Sequence, residues 1–218
     1  MQPYFVPYAG YYSLIAACDL FVLFDCVQFP RRGWLHRNCL PDALGRPAWL
    51  TLPLEKAPVS TIISDLRFRR SAAEELRAQI PRFPSLADGA QRDRELMSAL
   101  LDLSLDPVDY LERMLSLTCE RLGLTFRTQR SSTLALPDDL VGQQRVIAIA
   151  RAFGADCYVN LSGGHALYDR RVFAQNGIRL EFLDAYTGSR WSILHRLLSE
   201  PHHDLAREVR DNARTAAQ

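Results

Sequence analysis

The sequence lacks a long apolar run, a paired-cysteine motif and any strong excess of charge. Its 218 residues carry 26 Lys and Arg against 25 Asp and Glu, so the formal net charge is only +1. A balance of this kind gives no general electrostatic attraction to nucleic acid or to a membrane surface. The length is sufficient for one substantial domain. We therefore expect a single domain over residues 1–218 and no general nucleic-acid binding.

Cysteine is present, but not in a pattern that builds a scaffold. The thiols are those of Cys18, Cys26, Cys39, Cys119 and Cys157. Their odd number and the absence of C-x-x-C spacing argue against both a zinc framework and a disulfide scaffold. No segment reaches the roughly 20 apolar residues that span a bilayer, and the first residues lack the basic region of a secretory signal. These absences predict reduced thiols, no metal site, no membrane partner and a cytoplasmic location.

What is present is an alternation of strand and helix patterns. Residues 19–25 enclose five apolar residues between two acids, which indicates a strand covered on both faces. Further strands are predicted at 49–54, 62–68, 125–129, 157–161 and 179–183, and helices at 142–153, 165–176, 191–199 and 202–213. The alternation favours an α/β fold with a mainly parallel, Rossmann-like (HUP-like) sheet and right-handed crossovers. Residues 71–123 read as a helical insertion, whose strongest helix begins at Asp106-Pro107 and ends at Gly123.

The polar loop after the first predicted strand is the strongest candidate for a functional site. Residues 25–38 read DCVQFPRRGWLHRN, and ligands of open α/β sheets bind beyond the carboxyl ends of strands. No acid after Asp25 opposes the basic side chains, which suit a phosphate or another anion. From this loop we predict substrate contacts by Gln28, Arg31, Arg32, Trp34, Arg37 and Asn38. The alternative is a long surface loop with solvated arginines.

Cys26 and His36 suggest nucleophilic catalysis within that loop. The thiolate is the reactive form of cysteine, and a neighbouring imidazole or positive charge increases its population at neutral pH. The hypothesis makes Cys26 the nucleophile, His36 the general base and Asp25 the residue that orients His36. Alternatively, Cys26 is a small buried apolar residue, and Asp25 is an ordinary acid at a strand end or a contact for an amine substrate.

Ser131 and Ser132 follow another predicted strand. Their hydroxyls, together with free main-chain N–H groups near a helix start, are suited to hold a phosphate. A capping cluster is the commoner explanation of such a pair. In the first interpretation Ser131 and Ser132 help to close the ligand pocket across the sheet.

The segment after the strand at 157–161 is a third candidate. Gly163 and Gly164 would let the main chain approach a ligand closely, and the helix start that follows favours an anion. Asn160 would face the same ligand. His165 is either a base or a polar contact at the helix start. The segment has neither a Walker sequence nor G-x-G-x-x-G, so it does not identify a phosphate site by itself.

These residues give the chain a resemblance to the WbqC-like protein family, found in bacterial polysaccharide (O-antigen) and natural-product gene clusters. The resemblance covers nearly the whole length, and its positions are Gln2, Pro3, Tyr4, Phe5, Pro7, Gly10, Asp25, Val27, Gln28, Phe29, Arg37, Asn38, Trp49, Leu50, Thr51, Pro53, Ser131, Ser132, Asn160, Gly163, Gly164, Tyr168 and Asp169. It implies transfer of an acyl or aminoacyl group to an amine, with Gln2, Pro3, Tyr4 and Gly10 in a ligand-binding turn and Tyr168 and Asp169 beside the ligand.

The chain departs from that family at two places. Many members carry a second acid where this chain has Cys26, which therefore marks a subgroup or is incidental. Members also have a short apolar strand before Gln-Pro, whereas Met1 alone precedes it here. The resemblance thus implies a start upstream of Met1 or a fold without that strand.

A weaker resemblance, at the level of the fold, is to the nucleotidylyltransferase-like (HUP) superfamily, which includes pantothenate synthetases. The order of elements and Gln28-Phe29 agree with it. Tyr8 and Tyr11 stand where that superfamily has the two histidines of an H-x-G-H turn. Because those histidines stabilise charge on the phosphates, their replacement argues against ATP-dependent adenylyl transfer.

Together these observations predict an acyl or aminoacyl transferase of a bacterial glycan or antibiotic pathway. Its acceptor would be a small-molecule amine, either an amino sugar or a natural-product intermediate. The acyl group would come from an acyl carrier protein or another activated acyl donor through a thioester on Cys26, and no cofactor is predicted. Two alternatives stay open: a nucleotide- or nucleotide-sugar-dependent enzyme without a cysteine nucleophile, and a non-catalytic sugar- or nucleotide-binding protein.

Overall fold

The computed structural model of the protein describes residues 1–214. Its helices are α1 (Ala9–Ala16), α2 (Ala72–Gln79), α3 (Pro84–Ala87), α4 (Gly89–Arg92), α5 (Arg94–Leu101), α6 (Pro107–Arg121), α7 (Gly142–Ala152), α8 (Arg170–Gln175), α9 (Ile193–Leu197) and α10 (His202–Asp211). Its strands are β1 (Phe21–Leu23), β2 (Arg37–Pro41), β3 (Pro47–Thr51), β4 (Thr128–Arg130), β5 (Cys157–Asn160) and β6 (Arg179–Phe182). None of these helices is long and apolar enough to cross a membrane.

The strands form two parallel pairs and one antiparallel hairpin. β1 pairs with β4, placing Val22 opposite Gln129, and β5 pairs with β6, placing Tyr158 opposite Leu180. β2 and β3 form the hairpin. The predicted α/β fold with mainly parallel strands is therefore confirmed, although the parallel part is small.

The strong helix of residues 71–123 is also confirmed. α6 begins directly after Asp106, with Pro107 at its first position. Its apolar stripe, which includes Val108, Leu111 and Cys119, is buried. Gly123 follows the helix with φ of +59°, the left-handed conformation in which glycine commonly ends a helix.

The segments around the polar loop differ from the sequence-based expectation. The prediction of a strand at 62–68 was wrong, because this segment forms a 3₁₀ turn over Ile63–Asp65. Its main chain bonds to the loop after β1 instead: Ile63 N–H donates to the Val27 carbonyl at 2.9 Å and Ser64 N–H to the Asp25 carbonyl at 3.0 Å. Conversely, the end of the predicted loop is the hairpin strand β2.

The hydrophobic core divides into two clusters. The larger cluster packs α1, β1, the hairpin, α5, α6, α9 and α10 together. The smaller one lies around β5 and β6 and consists of Val146, Ile147, Ala150, Phe173, Ile178, Leu180 and Phe182. Strand β5 contacts both clusters, because Val159 packs against the larger one and Tyr158 against the smaller one.

Candidate functional site

The turn that precedes α1 is held in a strained conformation by buried side chains. Val6 has φ of +38°, a region that β-branched residues rarely occupy. The side-chain amide of Asn38 donates to the carbonyls of Phe5 and Val6, both at 2.9 Å. The hydroxyl of Ser192 also donates to the Val6 carbonyl, at 2.6 Å. Asn38, predicted as a substrate contact, therefore uses its donors to fix the turn.

Asp25 lies at the end of β1 and joins it to the end of β4. It is 1% exposed. Its carboxylate accepts hydrogen bonds from the hydroxyl of Ser131 at 3.0 Å, the hydroxyl of Ser132 at 2.7 Å and the main-chain N–H of Ser132 at 2.8 Å. Within residues 1–214 no hydrogen bond joins Asp25 to His36. The two serine hydroxyls thus satisfy a buried carboxylate, which agrees with a capping cluster more than with a phosphate site.

Cys26 and His36 have different neighbours. The guanidinium of Arg145, in the first turn of α7, donates to the Cys26 thiol at 3.6 Å. The His36 ring packs edge-on against Phe29, with 5.2 Å between centroids, and burial, followed by the charge of Arg37, lowers the pKa of His36. Its Nδ1 is buried without a hydrogen-bond partner in the described chain. The geometry therefore offers no support for His36 as a base acting on Cys26.

A cavity of about 640 Å³ opens between β1 and β5. Phe21 and Val22 line it from one side, and residues 157–160 line it from the other. Tyr11 of α1 and Ile149 of α7 are among the side chains that cover it. Its inner part is apolar, and its polar part lies beyond the carboxyl ends of the two strands.

We call that polar part the mouth, defined by Gln2, Tyr4, Tyr8, Trp34, Asn160, Gly163, Gly164, Tyr168 and Arg190. The guanidinium of Arg190 lies 5.6 Å from the centroid of the Tyr8 ring. Burial raises the pKa of both Tyr4 and Tyr8, so these hydroxyls keep their protons at neutral pH. Among residues 1–214, the charged groups that line the cavity are the Arg190 guanidinium and the Met1 amino group. No Asp, Glu or His of those residues lines it. The mouth therefore suits an anionic ligand that carries a ring.

The structure brings part of the predicted substrate-binding set together at this cavity. The predicted residues that line it are Gln2, Tyr4, Trp34, Asn38, Asn160, Gly163, Gly164 and Tyr168. Those that do not are Pro3, Gly10, Gln28, Arg31, Arg32, Arg37, Ser131, Ser132, His165 and Asp169, together with the predicted catalytic residues Asp25, Cys26 and His36.

Several residues outside the cavity have structural contacts of their own. Gln28 donates its side-chain amide to the Val59 carbonyl at 2.7 Å. Arg31 donates to the Ala57 carbonyl at 2.5 Å. Asp169 accepts the main-chain N–H of Arg171 at 2.8 Å and so caps α8. These three side chains fasten loops or helix ends.

Packing contacts engage three further residues, Arg37, His165 and Gly10. The Arg37 guanidinium lies 4.4 Å from the centroid of the Trp49 ring. The His165 ring stacks on Phe182 at 3.9 Å between centroids. A Cβ at Gly10 would come within 2.5 Å of the Tyr8 ring, so this glycine is required for close packing of the turn.

Sequence reasoning missed Arg190 and noted Tyr8 only as a replacement for histidine. Arg190 belongs to a short irregular segment between β6 and α9, where neither periodicity nor a motif marks it. A signal did exist for Tyr8, because it lies in the same turn as Gln2 and Tyr4.

Comparison with known proteins agrees with the resemblance drawn from the sequence. The profile of the WbqC-like protein family matches residues 2–195. The uncharacterized protein Rv1507c of Mycobacterium tuberculosis is 26% identical over 202 residues, which cover 87% of this chain and 82% of that protein. No solved structure matches the chain.

Proposed function

This chain belongs to the WbqC-like protein family, and from that membership and the mouth we propose a nucleotide- or nucleotide-sugar-dependent biosynthetic enzyme in which Cys26 is not a nucleophile. One observation carries the proposal. The cavity at the strand ends has a single arginine and no acidic or histidine side chain among its described lining residues, and Cys26 and His36 lie outside it.

The charge and shape of the mouth support a nucleotide-like ligand. Arg190 would bind a phosphate through charge-assisted hydrogen bonds. The rings of Tyr4, Tyr8 and Trp34 offer flat surfaces for a base or a sugar. In open α/β sheets, ligands bind beyond the carboxyl ends of the strands, at the point where the connections of two neighbouring strands lead to opposite sides. The mouth occupies that position between β1 and β5.

The uncharged groups of the mouth would orient the ligand. Protonated Tyr4 and Tyr8 hydroxyls donate hydrogen bonds, and the side chain of Gln2 offers both a donor and an acceptor. Nothing lies within 4 Å of a Cβ built at Gly163, so a ligand can reach the main chain there. A group transferred in this site would pass directly from donor to acceptor, because no nucleophilic side chain other than the tyrosines lines the described mouth.

Isothermal titration calorimetry with UDP, ADP and UDP-N-acetylglucosamine tests the proposal. We expect at least one of them to bind, Arg190→Ala to weaken that binding by about 10-fold or more, and Cys26→Ala to leave it unchanged. Arg92→Ala removes an exposed arginine that does not line the cavity and serves as the matched control. Failure of all three compounds to bind, or equal affinity in the Arg190→Ala variant, would contradict the proposal.

A specific contact favours a second candidate, an acyl or aminoacyl transferase that forms a thioester on Cys26. The Arg145 guanidinium donates to the Cys26 thiol at 3.6 Å and so lies beside the sulfur that would attack the donor. The thiolate would attack the acyl carbonyl of an activated donor and expel its thiol, and an amine acceptor would then take the acyl group from Cys26. In this candidate Arg145, rather than His36, is the residue in contact with the nucleophile.

Intact-mass measurement after incubation with acetyl-CoA or an aminoacyl thioester of N-acetylcysteamine separates the two candidates. A covalent adduct that disappears in Cys26→Ala and decreases in Arg145→Gln supports the thioester route. If the Cys26→Ala variant transfers the acyl group to an amine at the full rate of the unsubstituted protein, the thioester route is excluded. Nucleotide binding without turnover of any nucleotide-sugar would instead indicate the non-catalytic alternative.

A further inference from the structure

The outer face of the β2–β3 hairpin carries two exposed tryptophan rings. Ala48 and Leu50 of β3 are buried in the core, and because neighbouring residues of a strand point to opposite faces, Trp49 points outward. Trp49 is 40% exposed and Trp34 is 46% exposed. Their ring centroids lie 5.4 Å apart, with 48° between the ring planes. We call this pair of rings the platform, and adjoining apolar rings left on a surface are typical of a binding site.

The platform continues outward from the mouth. Trp34 belongs to both, because it lines the cavity and contacts Trp49, which does not line it. The N–H of Phe5 donates to the Trp34 carbonyl at 3.0 Å, which ties Trp34 to the strained turn of the mouth. A ligand on the platform would therefore lie beside a ligand in the mouth.

Arg37 adds a positive charge to the platform. Its guanidinium lies 4.4 Å from the centroid of the Trp49 ring and donates to the Arg32 carbonyl at 2.8 Å. Its Nε has no hydrogen-bond partner in the described chain. The ion pairs found among residues 1–214 do not include Arg37. The guanidinium thus lacks a counter-charge there, and the anion that its planar fork matches best is a carboxylate or a phosphate.

The shape of the platform favours a sugar over a nucleotide base. A flat base stacks best against parallel rings, whereas the two indoles are tilted by 48° and form no parallel slot. A pyranose ring instead has an apolar C–H face, which an indole can cover, and hydroxyl groups at its rim, which stay in water at an open surface. A sugar carboxylate carries one negative charge, which matches the single guanidinium of Arg37.

We propose that the platform and Arg37 form a binding site for an acidic sugar, a uronate. The apolar face of its pyranose ring stacks on Trp34 and Trp49, and its carboxylate accepts hydrogen bonds from the Arg37 guanidinium. Binding at this site does not depend on what the mouth binds. The further assignment of the uronate as the acceptor of the transferred group rests on the proposed nucleotide-sugar-dependent activity.

The indole N–H signals of the chain provide a direct test, because it has three tryptophans and Trp191 lies outside the platform. Methyl β-D-glucuronide should shift the NMR signals of Trp34 and Trp49 and leave that of Trp191 in place, with Kd of about 1 mM. The neutral methyl β-D-glucoside should bind about 5-fold more weakly or less. Absence of shifts at the two platform tryptophans, or equal affinity for the two glycosides, would overturn the proposal.

Variants separate the ring contact from the charge contact. We expect Trp49→Ala to weaken uronide binding by about 10-fold or more and Trp49→Phe, which keeps a ring, to weaken it less. Arg37→Gln should reduce the affinity for the uronide to that for the glucoside. Leu44→Ala removes a side chain that is 72% exposed in the turn of the same hairpin and should change nothing. Unaltered uronide binding in both Trp49→Ala and Arg37→Gln would contradict the assignment.

The site and the proposed function of the mouth can fail separately. Arg190→Ala should leave uronide binding intact, and Trp49→Ala should leave the calorimetric binding of UDP or ADP intact. Loss of uronide binding in Arg190→Ala would place the sugar in the mouth and overturn the platform site. Failure of every nucleotide to bind would contradict the proposed function while leaving the platform site unaffected.

Discussion

At the scale of single residues, Asn38 shows how a buried amide maintains a strained turn. A non-glycine residue with positive φ costs about 1 to 3 kcal/mol, and Val6 has such a φ. The two hydrogen bonds from Asn38 and the one from Ser192 offset that cost, since each contributes about 1 kcal/mol. Gln2, Tyr4 and Tyr8 belong to this turn, so its rigidity determines where the mouth side chains lie.

Replacing Asn38 with Asp should therefore destabilise the protein strongly. The carboxylate keeps the shape of the amide but cannot donate to the carbonyls of Phe5 and Val6, and it places a negative charge against them. We expect the free energy of unfolding, measured by urea denaturation, to fall by about 3 kcal/mol. Asn176→Asp, which removes one partly buried bond to the Val172 carbonyl, is the control and should lower it by about 1 kcal/mol. Equal effects of the two substitutions would show that the turn does not depend on Asn38.

The sequence identified this polar region but not the task of each side chain in it. Asp25 was predicted to orient His36, yet its partners are serines 106 and 107 positions away along the chain. Asn38 was predicted to hold a ligand, yet it bonds to a carbonyl 33 positions away. A sequence shows that a polar residue follows a strand. It does not show which distant group will form the hydrogen bonds of that residue.

At the scale of elements, an ion-pair network fastens the last two helices to each other and to the mouth. The Arg196 guanidinium, on α9, bonds to Glu200 at 2.8 Å and to Glu208 of α10 at 2.7 Å. Glu208 also accepts a hydrogen bond from the Tyr186 hydroxyl. The ring of Tyr186 contacts that of Tyr8, with 5.2 Å between centroids. The network thus holds Tyr186 in place against Tyr8, one of the residues that define the mouth.

Substituting Glu208 with Gln should weaken this fastening in a pH-dependent manner. Hydrogen bonding from Arg196 lowers the pKa of Glu208 in the folded protein, so its stabilising contribution is complete above the unfolded value of about 4.3 and decreases as the pH falls below it. We expect Glu208→Gln to lower the free energy of unfolding by about 2 kcal/mol at pH 7, with a smaller difference from the unsubstituted protein near pH 3.

The control for this prediction is Glu120→Gln. Glu120 pairs with Arg121 but is 69% exposed, and exposed pairs contribute little. Its substitution should change the free energy of unfolding by less than about 0.5 kcal/mol. If Glu208→Gln lowered the free energy of unfolding equally at pH 7 and near pH 3, the network would stabilise the protein through packing rather than through charge.

Prediction from sequence succeeded best for elements with regular apolar patterns. The strand expected at 157–161 is observed at Cys157–Asn160, and the helix expected at 142–153 is observed at Gly142–Ala152. It failed for β2, where Arg37 and Asn38 gave the segment a polar appearance. The burial of Asn38 and Leu40 on one face of that strand arises from tertiary contacts with the N-terminal turn, which no local pattern records.

At the scale of the whole molecule, the buried Met1 amino group links stability to pH. Burial lowers its pKa from 8.0 to about 6, so between these values the unfolded chain binds more protons than the folded one, and stability increases with pH. We expect the free energy of unfolding to rise by about 2 kcal/mol from pH 6 to pH 8 from this group. Calorimetry or denaturant titration at several pH values would measure it.

N-terminal acetylation of the same chain is the matched control. It removes the titrating amine while preserving an N–H donor for the Val22 carbonyl. The acetylated protein should keep only the smaller rise that comes from His36 and His195, whose pKa values burial also lowers. An unchanged pH dependence after acetylation would show that the amine is solvated in the folded protein.

The division of the hydrophobic core into two clusters has a consequence for cooperativity. The smaller cluster, around β5 and β6, includes the strand that carries Asn160 and ends near the two glycines of the mouth. Because the fully buried side chains form two separate clusters, we expect the parts around them to unfold with different free energies. The protein should then show a calorimetric enthalpy larger than its van't Hoff enthalpy. Opening of the smaller part would expose one wall of the mouth while the strained turn on the other wall remains folded.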